Sequence, residues 1–494
     1  MRRPAIRSLV GGAAGLAAGI IGGVTLTSLS AAGVGAPGSA GPGLEASHVP
    51  PALTLPGEPA TLRYAIVCGP REDGRPCAGS GEVYVRAGHA GSYERIPLVR
   101  GDDSSEGRYF AEVPPALASS RAGFSYYAVL HDDTSGASIT VPEGGAAAPD
   151  RSLPIGDFTQ IELGTHDFGA PRRADARVLH ASWGSEPGQA GLSGSRALGF
   201  AGPSSFDVGP DGTVTLLDQA NRRAERWARG RVEAVTLAVS GGLADFAVEP
   251  DGTMDVLEPP NRQTPVPLLR SFRSDGTARW TQRLADRTWA KLAVGPDGPT
   301  VLQQPSEQWL PAAEQGTALD RGTQAARGRP GRPLAHGREV VVDRVGSSEL
   351  RIAELAGNAV VRSWRITSET PLGEVQLAEP RGNELVVVLK TYTDERAEYV
   401  VLVLRERGAT ERFAVEPSEW AESAPLARFR LAGSSLYQLG STAAGVFVDR
   451  FDLKESRGRP FSSPLVPAFS SQAQTAPRRI TASGRTAITT LRPS

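Results

Sequence analysis

The sequence predicts an all-β chain, a small antiparallel sandwich followed by a six-bladed β-propeller, and three observations lead there. The stretch "FDVGPDGTVTLLDQANRR" from Phe206 returns as "FAVEPDGTMDVLEPPNRQ" from Phe246, so one structural sentence is written twice. Four looser copies follow, at spacings of about 40 to 52 residues, the span of a four-stranded blade. Ahead of them lie short runs of alternating apolar and polar residues, parted by Gly, Asp, Ser and Pro, which is how antiparallel strands and their turns are spelled.

In chain order, the first 36 residues carry Arg2, Arg3 and Arg7 ahead of a run without charge that lasts until Glu45. A basic start holds the cytoplasmic side while the apolar middle enters the bilayer, and small residues around Ala31, Ala32 and Ala36 offer cleavage points. The segment is an export signal, removed or retained as a single anchor, and either way the folded part lies outside the cytoplasm. Residues 37–57, rich in Gly, Ala and Pro, read as a flexible stalk.

Residues 58–145 hold "LRYAIVCG", "GEVYVRAG", "YERIPLVRG", "GRYFAEVPPAL", "FSYYAVLHDD" and "GASITVPE". Such a set of short strands fits a sandwich, and "RYFAEVPPALASSRAGFSYYAVLHDDTSG" resembles the immunoglobulin-like or fibronectin-type modules of bacterial extracellular proteins. That resemblance implies a spacer or adhesion module and no site. The only two cysteines, Cys68 and Cys77, bracket a Gly- and Pro-rich loop, so an exported chain is expected to join them in a disulfide. "PEGGAAAPD", residues 142–150, is the linker.

The propeller is placed at 155–455, with copies opening at Phe206, Phe246, Leu292, Leu334, Leu377 and Phe429. In each, a short apolar strand meets a tight turn and a longer apolar strand. Pro presets the backbone and Gly closes the hairpin, while alternation such as Val214 and Leu216 against Thr213 and Thr215 gives one face to the neighbouring blade. Pro299, just after the third turn, cannot donate to a ladder and predicts a shortened or bulged strand. The last copy supplies three strands, so "ARVLHASWG", residues 176–184, is expected to close the ring beside it and cover an open edge. Residues 456–494, without periodicity, are expected to form a disordered tail.

The region 183–227 resembles the NHL repeat of six-bladed propellers, through Pro203, Asp211, Gly212, Asp218, Asn221 and Arg222. The resemblance implies that Asp218, Asn221 and Arg222 hold the blade's second hairpin by hydrogen bonds. The second copy keeps Asn261 and Arg262 but has Glu258 in place of the aspartate.

Chemistry is sparse. The 53 basic and 54 acidic residues cancel, which argues against nucleic acid as a partner. No nucleophile elbow, phosphate loop or His-Glu-X-X-His motif occurs. His336 is placed on its blade's first strand, facing the channel; Asp207 and Asp245 flank first-strand phenylalanines and are the best candidates for a calcium ligand, although two carboxylates fall short of the six or so oxygens the ion needs. Trp183, Trp227, Trp280, Trp364 and Trp420 recur at blade positions and read as packing, whereas Trp289 and Trp309 are candidates for an exposed ligand face. The reading is an exported, non-catalytic binding protein without metal or cofactor, whose propeller face recognises a protein or glycan at the cell envelope. The alternative is a calcium-dependent hydrolase or lyase with a channel site.

Overall fold

The computed structural model describes residues 44–68, 75–76, 78–101, 107–195, 199–261, 264–284, 289–303, 307–314, 316–320, 323–324, 327–357, 359–421 and 426–454. The signal (1–36), the tail (456–494), Cys77 and Arg262 lie outside them. Among the described residues the chain is almost entirely β, and no helix is long and apolar enough to cross a membrane.

The N-terminal part consists of two sheets. One orders Glu45–Ser47, Thr61–Cys68, Arg108–Glu112 and Val99–Arg100; the other orders Leu53–Thr54, Asp150–Pro154, Phe124–Asp132, Gly79–Ala87 and Glu94–Pro97. Alternation does the work: Leu62, Tyr64 and Ile66 from the first and Val83, Val85, Tyr126, Ala128 and Leu130 from the second meet in one core. Cys68 is disulfide-bonded. The stalk assigned to 37–57 must be corrected over its described part. Glu45–Ser47 pairs with Ala65–Val67, and both His48 and Leu53 are buried. Three prolines and a glycine hid the fact that Leu44, Ala46, Ala52 and Leu53 have a core to enter.

From Ser205 onward the chain folds into antiparallel meanders, named here by their opening apolar residue. The Phe206 sheet runs Ser205–Val208, Val214–Asp218, Arg223–Ala228 and Arg231–Thr236; the Phe246 sheet runs Asp245–Val248, Met254–Glu258, Leu268–Phe272 and Ala278–Arg283. The Leu292 sheet has Trp289–Gly295, Gly298–Gln303 and Gln308–Pro311, without a fourth strand among the described residues. The Leu334 sheet (Arg332–Leu334, Arg338–Val345, Glu349–Ala356, Ala359–Thr367) and the Leu377 sheet (Leu372–Arg381, Glu384–Tyr392, Ala397–Arg405, Gly408–Val415) follow. The Phe429 sheet contributes Phe429–Ala432, Ser435–Thr442 and Gly445–Asp452. First strands of successive sheets adjoin at the centre, except that Leu372–Arg381 meets the second strand of the Leu334 sheet, Arg338–Val345, and Ser205–Val208 adjoins Phe429–Ala432. A ring of radial meanders with first strands innermost is a β-propeller.

Apolar faces between sheets hold the ring. Leu217, Phe246, Val256 and Phe272 pack between the first two sheets, and Leu350, Ile352, Trp364, Leu385 and Leu402 between the Leu334 and Leu377 sheets. Pro299 does not shorten its strand, which keeps six residues; the bulge falls on the partner, between Trp289 and Lys291. Pro299 pairs with Val294 near the hairpin end, where a missing donor disturbs little.

Ala176–Ser182 lies antiparallel on Gly445–Asp452 and is the outer strand of the Phe429 sheet. Thr159–Glu162 pairs in parallel with Trp364–Thr367 on the Leu334 sheet. Between them the chain crosses the Leu377 sheet, where Arg172 N donates to Ala414 O (2.8 Å) and the His166 and Glu398 side chains meet at 2.8 Å. Residues 159–182 thus belt three consecutive sheets.

The sandwich is seated on the ring mainly at the Leu334 sheet. Ala52, Leu53, Leu153 and Ile155 pack on Val341, Ala353 and Leu355 of the Leu334 sheet. Leu53 N donates to Asp343 (2.8 Å), and Arg351 grips Glu58 through two hydrogen bonds of 2.6 and 2.8 Å.

Candidate functional site

A four-stranded meander ends on the face where it began, so every crossover into a new innermost strand lies on one face of the ring. That crossover face and the channel mouth it surrounds are where innermost side chains converge.

Asp207 and Asp245 stand on the first two innermost strands, and both are committed to the scaffold. Asp207 accepts from Val248 N of the next sheet (2.7 Å) and from Val208 N (2.8 Å). Asp245 accepts from Leu292 N of the sheet after its own (2.7 Å), and from Phe246 N and Ser205 Oγ (2.8 Å each). Each carboxylate therefore staples its strand to the following one. Burial pushes the Asp207 carboxyl above its usual range, opposed by the Arg430 guanidinium. Arg430, from the last innermost strand, lies 3.8 Å from Asp207 and 3.9 Å from Asp245, and donates to the carbonyls of Phe206 (2.9 Å) and Phe246 (2.7 Å). Replacing Arg430 by Met is expected to destabilise the ring by about 2 kcal/mol, since two carboxylates lose their counter-charge. Denaturant melts check this, and an unchanged midpoint would show the cation to be dispensable.

A second set of charges bridges the other side. Lys291 Nζ reaches Glu374 Oε1 at 2.6 Å and Val375 O at 3.2 Å, spanning from the Leu292 to the Leu377 sheet. Crowding pushes the Glu374 carboxyl up, but Lys291, Gln376 and Lys390 outweigh it and hold the group below its usual range. The Glu374 side chain is nevertheless 57% exposed, so the mouth is a wetted funnel. Arg332 and Glu379 pair at 3.3 Å. Sequence reading passed over Glu374, Lys291 and Arg430 because their ion pairs join strands far apart in the chain. Among the described residues no group of three or more His, Cys, Asp or Glu is placed to hold a metal ion.

The remaining candidates fall elsewhere. His336 is not on an innermost strand facing the channel, as expected, but in the exposed turn Ala335–Gly337 with φ of 62°. The innermost strand there is only Arg332–Leu334, because Pro333 and the His-Gly pair favour an early turn. Trp309 is half-buried and exchanges backbone hydrogen bonds with Arg329 (2.7 and 3.1 Å). The Trp289 backbone pairs with Gln303, and its side chain lies outside the described residues.

At the first hairpin, Asp218 accepts from Gly191 N (3.0 Å), Asn221 Nδ2 (2.7 Å) and Arg223 Nε (3.0 Å). The arginine is thus Arg223, which also donates to the carbonyls of Ser185 (2.7 Å), Glu186 (2.9 Å) and Gln189 (2.7 Å). Arg222, the position given by the NHL resemblance, takes the left-handed turn conformation at φ of 56°.

Aromatic residues gather on the crossover face where the ring closes. Phe200 stacks on Trp420 with centroids 5.2 Å apart and 12° between planes, and Trp183 tilts against Trp420 at 6.0 Å. All three are half-buried. Beside them is a pocket lined by Trp183, Gly202, Pro203, Ala421 and Leu439, among others. Of the tryptophans expected to pack between blades, Trp364 is buried there, Trp183 and Trp227 pack against the core between the last and first sheets and Trp280 against the core between the Phe246 and Leu292 sheets, while Trp183 and Trp420 stay half-buried. Only closure of the ring brings residue 183 to residue 420.

No protein-family model matches the chain, and no curated protein does. Solved structures it resembles include a protein of unknown function from Bacteroides thetaiotaomicron (9% identity, 83% of this chain and 98% of the other, TM-score 0.29). Another is a catalytically inactive virginiamycin B lyase from Staphylococcus aureus with quinupristin (8% identity, 50% and 94%, TM-score 0.31). A third is the β-propeller domain of the trilobed protease from Pyrococcus furiosus (7% identity, 76% and 100%, TM-score 0.28). Likeness at this level carries no argument about activity, and the propeller is read from the chain's own strand order.

Proposed function

We propose that this chain is an exported, non-catalytic binding protein: an immunoglobulin-like sandwich joined to a six-bladed propeller, whose crossover face recognises a protein or glycan at the cell envelope. The observation that carries the reading is the half-exposed group of Trp183, Phe200 and Trp420, set on a rigid ring closure. Aromatic faces of this kind offer large contact area at small entropic cost, to a sugar ring or an apolar side chain alike. Support for six blades comes from the six successive sheets, whose neighbours are in contact from the Phe206 sheet round to the Phe429 sheet and back. Support for a non-catalytic role comes from Asp207 and Asp245, whose oxygens are filled by backbone donors. The basic, then apolar N-terminus is the ground for export.

Retention of envelope proteins and glycans on the immobilised protein tests the reading. Trp420→Ala is expected to lower affinity for the retained ligand about tenfold, the order of one aromatic contact at an interface. Equal retention by wild type and Trp420→Ala would remove the aromatic face from the function. Thermal melts in calcium and in chelator are expected to coincide. A calcium-dependent rise that Asp207→Ala abolishes would instead favour the channel enzyme.

A further inference from the structure

Where the sandwich meets the ring, the contact includes buried carboxyls besides the apolar patch and the Arg351–Glu58 ion pair. Asp150, on the sandwich, is 2% exposed and receives Gln308 Nε2 of the Leu292 sheet on Oδ1 at 2.5 Å. Its Oδ2 has no hydrogen-bond partner; the nearest charged candidate, His48 Nε2, is 4.0 Å away and is taken by Tyr126 at 2.9 Å. Asp343, on the Leu334 sheet, is 5% exposed and accepts Leu53 N from the sandwich side. The hydroxyls of Tyr64, Ser152 and Thr54 are also buried without partners on the sandwich side of this junction. A narrow cavity, about 10 Å³ and so of the order of one water, opens between Asp150, Arg151, Glu307 and Gln308.

We propose that this junction is a proton-operated latch: Asp150 and Asp343 seat the sandwich on the ring as neutral carboxylic acids and loosen it when they ionise. A buried carboxylate without compensating donors is costly, and a second carboxyl facing it makes it more so. Glu307 is that second group for Asp343. It faces Asp343, stands at the end of the hairpin before Gln308, and has a left-handed backbone with φ of 51°, a conformation that a non-glycine residue holds only under constraint.

Around Asp150 are His48, Tyr64 and Tyr126 from the sandwich, Gln308 from the Leu292 sheet and its own neighbour Arg151. Burial pushes the Asp150 carboxyl up to about 7, with Gln308 opposing. Around Asp343 are Leu53 N and Glu58 from the sandwich side, Arg351 from its own sheet and Glu307; burial again pushes it up to about 7, against the Leu53 donor and Arg351. Burial also raises Glu307, opposed by Arg344 and Lys291. Burial lowers His48 to about 4, so it is neutral in the seated state.

Seated acids with raised values hold protons that released acids would lose. Their stabilisation is full below the usual carboxylate range and disappears as pH rises towards 7. His48 acts in the opposite sense: its contribution is present above about 6.5 and is lost as pH falls towards 4. Two carboxyls outweigh one imidazole over the shared range, so seating weakens from mildly acidic to mildly alkaline pH. Below about pH 4 His48 adds no further pH dependence.

Hydrogen exchange on the full chain tests this. The amides of residues 52–55 and of Ser152, Leu153 and Ile155 are followed, corrected for intrinsic rates, with those of Phe124–Asp132 and Glu384–Tyr392 as internal references. Between about pH 6 and 8, protection of the junction amides is expected to fall about tenfold relative to the references, the weight of one unit of proton linkage. In Asp150→Asn/Asp343→Asn, whose side chains keep the shape but cannot ionise, the fall should vanish. A wild type whose junction protection does not change with pH overturns the latch, as does a double variant with the wild-type dependence. Should the double variant fail to fold, infrared difference spectra of the wild type decide: a carboxylic-acid band that persists at about pH 6 and bleaches by about pH 8 supports the latch, and its absence overturns it.

Discussion

Gly445→Val is expected to unlock the ring. Gly445 opens the last strand of the Phe429 sheet and pairs with Ser182, the end of the closing strand. A Cβ there would stand 2.0 Å from the Ala181 carbonyl oxygen and 2.9 Å from Ser182 Cα, both backbone atoms that cannot turn aside. The closing strand must move off, and with it Leu179 and Ala181, which pack with Phe206, Leu216 and Leu439 between the last and first sheets. The loss is therefore a strand's ladder and part of an interblade core, about 4 kcal/mol or more. It also uncovers the edge of Gly445–Asp452, an invitation to association with other chains. Denaturant titration with light scattering reads both effects. Gly433→Ala is the control: its turn has φ of 58° and open space around the Cβ, so it should cost only about 1 kcal/mol. Should both variants melt alike, the clash would be relieved without opening the ring, and closure would not rest on this strand.

Arg351→Ala is expected to detach the sandwich from the ring. The guanidinium is 4% exposed at the side chain and joins Glu58 through two hydrogen bonds, Leu53 O at 3.0 Å and Glu349 at 2.7 Å. Its removal leaves Glu349 with Arg365 and strips Glu58 and the Leu53 carbonyl of their donor. Glu58 is 34% exposed and water recovers part of the loss, so about 3 kcal/mol is expected rather than the upper end for a broken buried pair. Unseating exposes Val341, Ala353 and Leu355, which Ala52, Leu53, Leu153 and Ile155 cover in the seated state. Limited proteolysis between residues 142 and 160 should accelerate while the sandwich core stays protected. Unchanged cleavage would mean that the apolar contact alone holds the two parts.

Much of this architecture is legible in the chain because it is periodic. Phe206 and Phe246 recur with their Asp-Gly turns, and in both copies the strand after the turn is buried through its whole length. A repeat announces itself wherever local pattern and turn chemistry agree, and the strand needed to complete the last sheet could be sought by counting. Residues 44–57 were misjudged because Pro and Gly density signals a linker only when no partner surface is offered, and here one is. His336 was misjudged because a turn and a strand end can share the same letters.

The sequence by itself determined the all-β character, the repeating hairpins and the poverty of catalytic groups, since these follow from alternation, turn residues and composition. Tertiary structure alone decided which side chains meet. Arg430 reaches Phe206 and Phe246 from the other end of the repeat sequence, Lys291 reaches Glu374 across the mouth, and Trp183 comes to lie on Trp420. The buried state of Asp150 and Asp343 is likewise invisible in their neighbours along the chain, because it arises only where the sandwich meets the Leu292 and Leu334 sheets. Closing a ring joins residues hundreds of positions apart, and no local pattern records the partner that closure will supply.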